Sequence, residues 1–278
     1  MKQKVLDNQR KLAESVPHVT EYFKKLHETI ASYGINPADI WNMDETGFRI
    51  GIGRDQVVVT KSRRSQYFGI EENRESATAV EAISADGRYI PAFLILSGKV
   101  HLEQWYGIKE LDGDTLIGVT ETGFTNDQLN LAWIQHFDKH AKSKGAWRLL
   151  LLDGHGSHHT LDLIEYAEAH NIVLFALPPH LTHLLQPLDV VVFQPYKHYH
   201  SRAVDFAIRS GASKITKLEF LAMIQSIRVK AFKESTILSA FKNRNPPIQS
   251  KANPRETQRG NAKAGRNTRT ATFKAVEY

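Results

Sequence analysis

The feature that most constrains the fold is a run of four consecutive leucines, residues 149–152, followed directly by Asp153. A short uninterrupted apolar run bounded by polar residues is typical of a strand that is buried on both faces of a sheet. Residues 172–175, Ile-Val-Leu-Phe, form a second run of this kind. Strands buried in this way occur in parallel sheets that are covered by helices on both sides. The sequence therefore predicts an α/β fold.

Other strands are predicted on the N-terminal side of this run. Residues 40–44 have the pattern of a strand that ends in an acid, Asp44. Residues 77–84 and 89–96 are rich in apolar and β-branched residues and flank the pair Asp86-Gly87, which is a strong short-range signal for a hairpin. Some strands of the sheet must therefore run antiparallel to their neighbours.

Helical periodicity occurs mainly between and after the later strands. The predicted helices are residues 126–140, a short helix carrying Leu161, Ile164 and Ala167, a helix from Asp189 to about residue 208, and a helix opened by the capping box Thr216 and Glu219. Glycines break the pattern between residues 97 and 125, where we expect a loop-rich insertion. The order of elements favours a mixed sheet flanked by helices.

The ends of the chain differ from its centre. Residues 1–38 are predicted to form a helical N-terminal extension, and residues 39–242 the main domain. Residues 243–278 are rich in Asn, Thr, Lys and Arg and poor in apolar residues, which is typical of a disordered basic tail.

The amino-acid composition excludes several classes of protein for this chain. The 278 residues include no cysteine, which excludes disulfides and thiolate zinc sites and fits a reducing compartment. No apolar run approaches the length of about 18 residues that a membrane span needs, so we expect no membrane partner. The formal net charge of +6 is compatible with a nucleic-acid partner but does not require one.

Three aspartates are placed to meet at one edge of the sheet. Asp44 and Asp153 each follow a strand, and Asp189 begins the helix after the last strand. Converging carboxylates repel one another, and a pair of Mg²⁺ ions would relieve the repulsion and provide the site that phosphodiester chemistry requires. Taken one at a time, such aspartates are more often turn or helix-cap residues, and periodicity alone leaves that alternative open.

The residues around the acids carry a family resemblance. The three motifs are Asn42-Met43-Asp44-Glu45-Thr46-Gly47-Phe48, Leu151-Leu152-Asp153-Gly154-His155-Gly156-Ser157-His158 and Leu184-Leu185-Gln186-Pro187-Leu188-Asp189-Val190. In this order they resemble the DDE superfamily endonuclease domain of pogo-like transposases of the mariner superclass, particularly the fungal type. The resemblance implies a ribonuclease-H-like fold and metal-dependent DNA strand cleavage and transfer in the nucleus. It also implies that Asp44, Asp153 and Asp189 are catalytic and bind Mg²⁺ or Mn²⁺.

The resemblance further implies DNA as the partner, with terminal inverted repeats as the target of an active protein and a homo-oligomer assembled on the DNA. Two departures from the family pattern leave a second hypothesis open. The helix-turn-helix region that precedes this domain in the family has no counterpart in the sequence, and the family segment expected after Phe232 is shortened. The alternative is a catalytically idle, transposase-derived nuclear DNA-binding protein or a truncated relic.

Two further groups of residues are candidates for supporting roles. His155, His158 and His183 lie near the acids in sequence and could hydrogen-bond loop backbone or a bound phosphate; without cysteine to complete it, a closed zinc site is disfavoured. A basic segment is a candidate for DNA phosphate contacts, with a solvated charged loop as the alternative; its members are Lys61, Arg63 and Arg64.

Overall fold

The structure is a computed structural model that describes residues 16–50, 75–153, 160–178, 181–212 and 214–242. Its centre is a six-stranded sheet in the order β4-β3-β2-β1-β5-β6. The strands are β1 (Ile40–Arg49), β2 (Ser76–Ser84), β3 (Phe93–Ser97), β4 (Leu116–Thr120), β5 (Arg148–Leu152) and β6 (Ile172–Ala176). Strand β2 is antiparallel to β1 and β3, and the other neighbouring pairs are parallel. The predicted mixed α/β sheet is confirmed.

Helices cover both faces of the sheet. They are α1 (Val16–Tyr33), α2 (Asp127–His140), α3 (Leu161–Ala169), α4 (Thr182–Leu185), a π-helical turn (Leu188–Val192), α5 (Phe193–Arg209), α6 (Lys217–Ala231) and α7 (Glu234–Lys242). Helices α2 and α3 pack on one face, and α1, α5, α6 and α7 pack on the other. None of these described helices is long and apolar enough to cross a membrane.

Alternation along the strands divides the interior into two cores. Ile40 and Leu151 belong to the core beneath α1, α5, α6 and α7, whereas Trp41 and Leu150 belong to the core beneath α2 and α3. Successive side chains of a strand point to opposite faces, so the position of a residue along β1 or β5 decides which helices it meets. The same alternation governs two of the acids. The expectation that the first strand ends at Asp44 is wrong, because β1 continues to Arg49 and pairs with β2 up to that residue, whereas Asp153 does follow β5.

Two local sequence signals are confirmed. Gly87 has a φ of +95°, a backbone conformation that favours glycine, in the turn between β2 and the segment leading to β3. At the start of α6, the hydroxyl oxygen of Thr216 accepts from the backbone N–H of Glu219 at 3.3 Å, and the Glu219 carboxylate accepts from the backbone N–H of Thr216 at 2.6 Å. This reciprocal capping box satisfies amide donors that would otherwise have no partner in the helix.

Residues 97–125 contain loops, as expected, and also the strand β4, which the sequence pattern did not predict. Gly118, which suggested a break, lies inside the strand. A Cβ at this position would lie 3.1 Å from a methyl carbon of Leu129 in α2 and 3.3 Å from the ring of Phe93 in β3. The glycine therefore permits close packing against its neighbours rather than ending the strand.

Two helical assignments also need correction. In α3, Leu163 and Ala167 are buried, whereas Leu161 is 67% exposed at the helix start and Ile164 is only partly buried. The inward face is thus offset from the spacing that the sequence suggested. Asp189 lies within the π-helical turn, and the regular helix α5 begins four residues later at Phe193.

A buried ion pair joins α6 to the centre of the sheet. The Arg228 guanidinium donates to the Glu81 carboxylate, with Nε 3.0 Å from each oxygen and Nη2 2.7 Å from Oε2. The Tyr196 hydroxyl of α5 donates to Oε1 of the same carboxylate at 3.2 Å. All three residues are at most 1% exposed. Because each charge is paired away from water, loss of either partner would leave the other buried and unpaired.

Candidate active site

The parallel register of β1 and β5 determines the relation of the first two acids. Asn42 on β1 is paired with Leu151 on β5. Asp44 and Asp153 each lie two residues beyond these partners, so both share the face of Asn42 and Leu151. Neighbouring strands are about 4.8 Å apart. The register therefore brings the two carboxylates side by side on the face covered by α5.

Asn42 ties the third acid to the same edge. Its Oδ1 accepts a hydrogen bond from the backbone N–H of Leu188 at 3.1 Å, and its Nδ2 donates to the carbonyl of Leu151 at 3.2 Å. Asn42 is fully buried, and most buried amide groups in proteins are hydrogen-bonded in this way. One side chain therefore joins β1, β5 and the residue immediately before Asp189.

Gln186 forms a second link between the same segments. Its Nε2 donates to the carbonyl oxygen of Met43 at 2.8 Å, and the side chain is fully buried. The chain is thus fixed to β1 three residues before Asp189 and one residue before Asp44. Sequence reasoning did not single out Asn42 or Gln186, although both stand as polar residues in apolar surroundings within the motifs that carry the acids.

The electrostatics of Asp44 indicate crowding of negative charge. Burial is the largest cause that raises its pKa well above the ordinary value, and the charges of Asp189 and Asp153 raise it further. The Glu45 backbone N–H, which donates to Asp44 Oδ1 at 2.8 Å, and the nearby amide of Gln186 oppose this shift. All three acids are therefore close enough to act on one another.

Asp189 shows the same effect more weakly. Although the residue is solvent-exposed as a whole, partial desolvation of its carboxylate raises its pKa, and the charge of Asp153 adds to the shift. Lys197, one helical turn into α5, acts in the opposite direction. The third acid therefore lies between a carboxylate cluster on one side and a cation on the other.

The arrangement suits a divalent cation. Asp44 Oδ2 is buried and has no partner of hydrogen-bonding geometry among the described residues. A buried carboxylate oxygen without a partner, beside two further carboxylates, is the type of hard oxygen donor that Mg²⁺ and Mn²⁺ prefer. In the described part of the chain, no three acidic or histidine side chains already stand at coordinating distances from a common point. The acids are close together without forming a closed site.

The structure does not describe the side chains of the candidate DNA-binding and supporting residues. Lys61, Arg63, Arg64, His155 and His158 lie outside the described residues. The backbone of His183 belongs to α4, but the structure does not describe its side chain. Their supporting and DNA-binding roles remain predictions.

Comparison with known protein families identifies the family of this chain. The sequence profile of the DDE superfamily endonuclease family matches residues 73–241, which is more than half of the chain. The chain belongs to the DDE superfamily endonuclease family. Asp153 and Asp189 lie within the matched residues, whereas Asp44 lies before them, so its link to this DDE domain rests on the β1–β5 register. The mixed sheet with helices on both faces is the ribonuclease-H-like arrangement that the motifs imply.

Individual proteins of known name or structure are similar to this chain over part of their length. A protein of Cochliobolus lunatus named "MFS-type transporter clz9" is 38% identical over 216 residues, which cover 76% of this chain and 23% of that protein. Among solved structures, the Mos1 transposase paired-end complex with the left transposon end is 14% identical with a TM-score of 0.42, covering 88% of this chain and 68% of the other. The catalytic domain of Mos1 mariner transposase is 11% identical with a TM-score of 0.41, covering 86% and 97%.

Proposed function

We propose that this chain carries out metal-dependent cleavage and transfer of DNA strands, with Asp44, Asp153 and Asp189 as the catalytic, metal-binding residues. The observation that carries the proposal is the mutual effect of the three carboxylates. They come from β1, the end of β5 and the π-helical turn, yet each of the other two raises the pKa of Asp44. Structural carboxylates of a stable fold are normally paired with cations or hydrogen-bond donors instead.

Membership of the DDE family supports the nature of the reaction. Divalent cations held at such a site stabilise the attacking and leaving oxygens of a phosphodiester during an in-line displacement. The chain itself supplies the placement of the acids, because Asn42 and Gln186 hold the segment before Asp189 against β1. Lys197 supplies a positive charge beside Asp189, where the phosphate backbone of a substrate would approach.

The same proposal covers the partners and the compartment. The substrate is DNA, and for an active element it is the terminal inverted repeats. A homo-oligomer would assemble on paired DNA ends, and the protein would act in the nucleus. The motif resemblance described above and the family match support these assignments.

The test is DNA cleavage by the purified full chain. Wild type and Asp153→Asn would be incubated with Mg²⁺ or Mn²⁺ and DNA that carries the inverted repeats flanking the gene, and the products would be separated on a denaturing gel. Asp162→Asn is the matched control, because Asp162 is an exposed aspartate nine residues further along. We expect cleavage by wild type and by Asp162→Asn and none by Asp153→Asn, with all three folded.

Two results would contradict the proposal. Cleavage that persists in Asp153→Asn would show that another group performs the chemistry. DNA binding by wild type without any metal-dependent cleavage would favour the alternative of a catalytically idle DNA-binding protein.

A further inference from the structure

A large open cavity lies beside Asp189, between the end of β1 and α5. Its volume is about 1380 Å³. The wall on the strand side includes Gly47 and Arg49, and the wall on the helix side consists of α5 residues from Phe193 to Val204. Asp189 itself lines one end of the cavity. We call this cavity the α5 groove.

Helical periodicity continues from the acid along the groove. Asp189, Phe193, Lys197 and Ser201 follow one another at intervals of four residues and all line it. Residues four apart lie on the same face of a helix. At 1.5 Å per residue this stripe is about 18 Å long, which corresponds to about five nucleotide steps of a DNA strand at about 3.4 Å each.

The groove carries a cation on each of its two walls. Lys197 and Arg49 are exposed and line it from opposite walls. Lys197 and Asp189 line the same cavity, two four-residue steps apart along the stripe. Cations arranged along a groove that ends at an acidic centre suit a polyanion that must bring one of its phosphates to that centre.

His200 provides an independent indication of a ligand. It lines the groove and is 8% exposed, and its Nε2 is buried without a hydrogen-bond partner in the described part of the chain. The ring packs between Phe48 and Phe220, with centroids 4.8 and 5.7 Å away. Burial lowers the pKa of His200 to about 4, so it is neutral at physiological pH and provides a hydrogen bond rather than a charge.

We propose that the α5 groove binds the sugar-phosphate backbone of the DNA strand next to the bond that is cleaved. Lys197 and Arg49 neutralise phosphates, and His200 donates a hydrogen bond from its buried Nε2 to a phosphate oxygen when the bound strand displaces the groups that cover this atom in the free chain. This assignment rests on the proposed function, because it names the path of that substrate toward Asp189. The backbone is the part of DNA that such side chains recognise without reading sequence.

The experiment measures DNA binding without metal, so that cleavage plays no part. Fluorescence anisotropy would follow the full chain binding a labelled DNA of about 20 nucleotides, as single strand and as duplex, in EDTA at about 50 to 200 mM KCl. The variants are Lys197→Gln, His200→Phe and His200→Gln. Lys230→Gln is the matched control, because Lys230 is an exposed lysine on α6 that does not line the groove.

The two kinds of residue should affect binding differently. Lys197→Gln should weaken binding and reduce the slope of log K against log salt concentration by about 1, as expected for one lost phosphate contact. His200→Phe should weaken binding about tenfold at every salt concentration without changing the slope, as expected for a lost hydrogen bond to a charged group. His200→Gln, which keeps a donor, should restore part of the affinity. Lys230→Gln should bind as wild type.

The proposal is overturned if Lys197→Gln behaves like Lys230→Gln, or if folded His200→Phe and His200→Gln both bind DNA with wild-type affinity. These results are independent of catalysis. A wild-type chain that binds through the groove but never cleaves would refute the proposed function and leave the groove assignment standing.

Discussion

The side-chain oxygen of Asn42 accepts a hydrogen bond from the backbone N–H of Leu188 at 3.1 Å. Asn42 precedes Asp44 by two residues, and Leu188 directly precedes Asp189. The first and third acids are thus brought together by an uncharged, fully buried amide and not by the carboxylates, which repel one another. Hydrogen bonds within the chain therefore hold the segments that carry these two acids near one another.

Replacement of Asn42 by alanine should therefore impair both folding stability and activity. The Leu188 N–H would lose its partner in the interior, which should lower the free energy of unfolding by about 1–3 kcal/mol. Displacement of Asp189 by even about 1 Å should reduce cleavage by about 100-fold. Urea denaturation and the cleavage assay measure the two effects.

Asn126→Ala provides the control for this variant. Asn126 caps α2 by accepting from the backbone N–H of Leu129 at 2.9 Å, away from the acids. Its loss should lower the free energy of unfolding by about 1 kcal/mol and leave cleavage per folded molecule unchanged. Equal loss of activity in both variants would mean that Asn42 acts only through stability.

Mg²⁺ should stabilise the folded chain. A ligand that binds only the folded state adds about 2.7 kcal/mol to the free energy of unfolding at a concentration 100 times its dissociation constant. Asp44→Asn removes the buried carboxylate and should abolish this increment, whereas Asp162→Asn should retain it. Thermal unfolding with Mg²⁺ and with EDTA tests the expectation, and an increment that survives in Asp44→Asn would place the cation elsewhere.

Removal of Arg228 alone should be strongly destabilising. Arg228→Met leaves the Glu81 carboxylate buried without its cation, and breaking a buried pair in this way costs about 3–5 kcal/mol. The double variant Arg228→Met with Glu81→Leu should recover much of this loss, since no buried charge remains. Lys144→Met, which breaks an exposed pair with Asp86, should change the free energy of unfolding by less than about 1 kcal/mol.

His200 should make stability depend on pH in the acid range. Burial lowers the pKa of His200 from 6.5 to about 4, so that between these values the unfolded chain is protonated at this residue and the folded chain is not. Stability from this group is therefore fully present above 6.5 and is lost as the pH falls toward 4. The loss is about 3 kcal/mol at about 1.4 kcal/mol per pKa unit.

Comparison of wild type with His200→Gln isolates this contribution. Urea denaturation at several pH values between 6.5 and about 4 should give a smaller loss of stability for the variant, because glutamine does not titrate. Parallel pH profiles for the two proteins would show that His200 is not shielded from water as the structure indicates.

Local patterns in the sequence predict those parts of the fold that depend on neighbours along the chain. The leucine run before Asp153, the turn at Gly87 and the capping box at Thr216 each carry their structural cause within a few residues. The proximity of Asp44 and Asp153 is predicted only in part. Asp153 follows β5, whereas Asp44 lies within β1, which continues to Arg49, and the pairing of Asn42 with Leu151 sets the two acids side by side.

Contacts between distant segments could not be predicted in this way. The bond from Asn42 to Leu188 joins residues 146 positions apart, and that from Arg228 to Glu81 joins residues 147 positions apart. Nothing near Gly118 in sequence indicates that the side chains of Leu129 and Phe93 will occupy the space beside it. Such features arise only when the sheet and helices have assembled.

The shared strand face of Asp44 and Asp153 limits which changes in length these strands tolerate. A residue inserted or deleted between Ile40 and Asp44 would leave the paired start of β1 in place and turn the carboxylate into the apolar layer beneath α2. Substitutions along β1 can be absorbed one side chain at a time. A shift by a single position would move every later side chain of the strand to the opposite face of the sheet. Homologues of this chain should therefore vary in the residue types of β1 but not in its length.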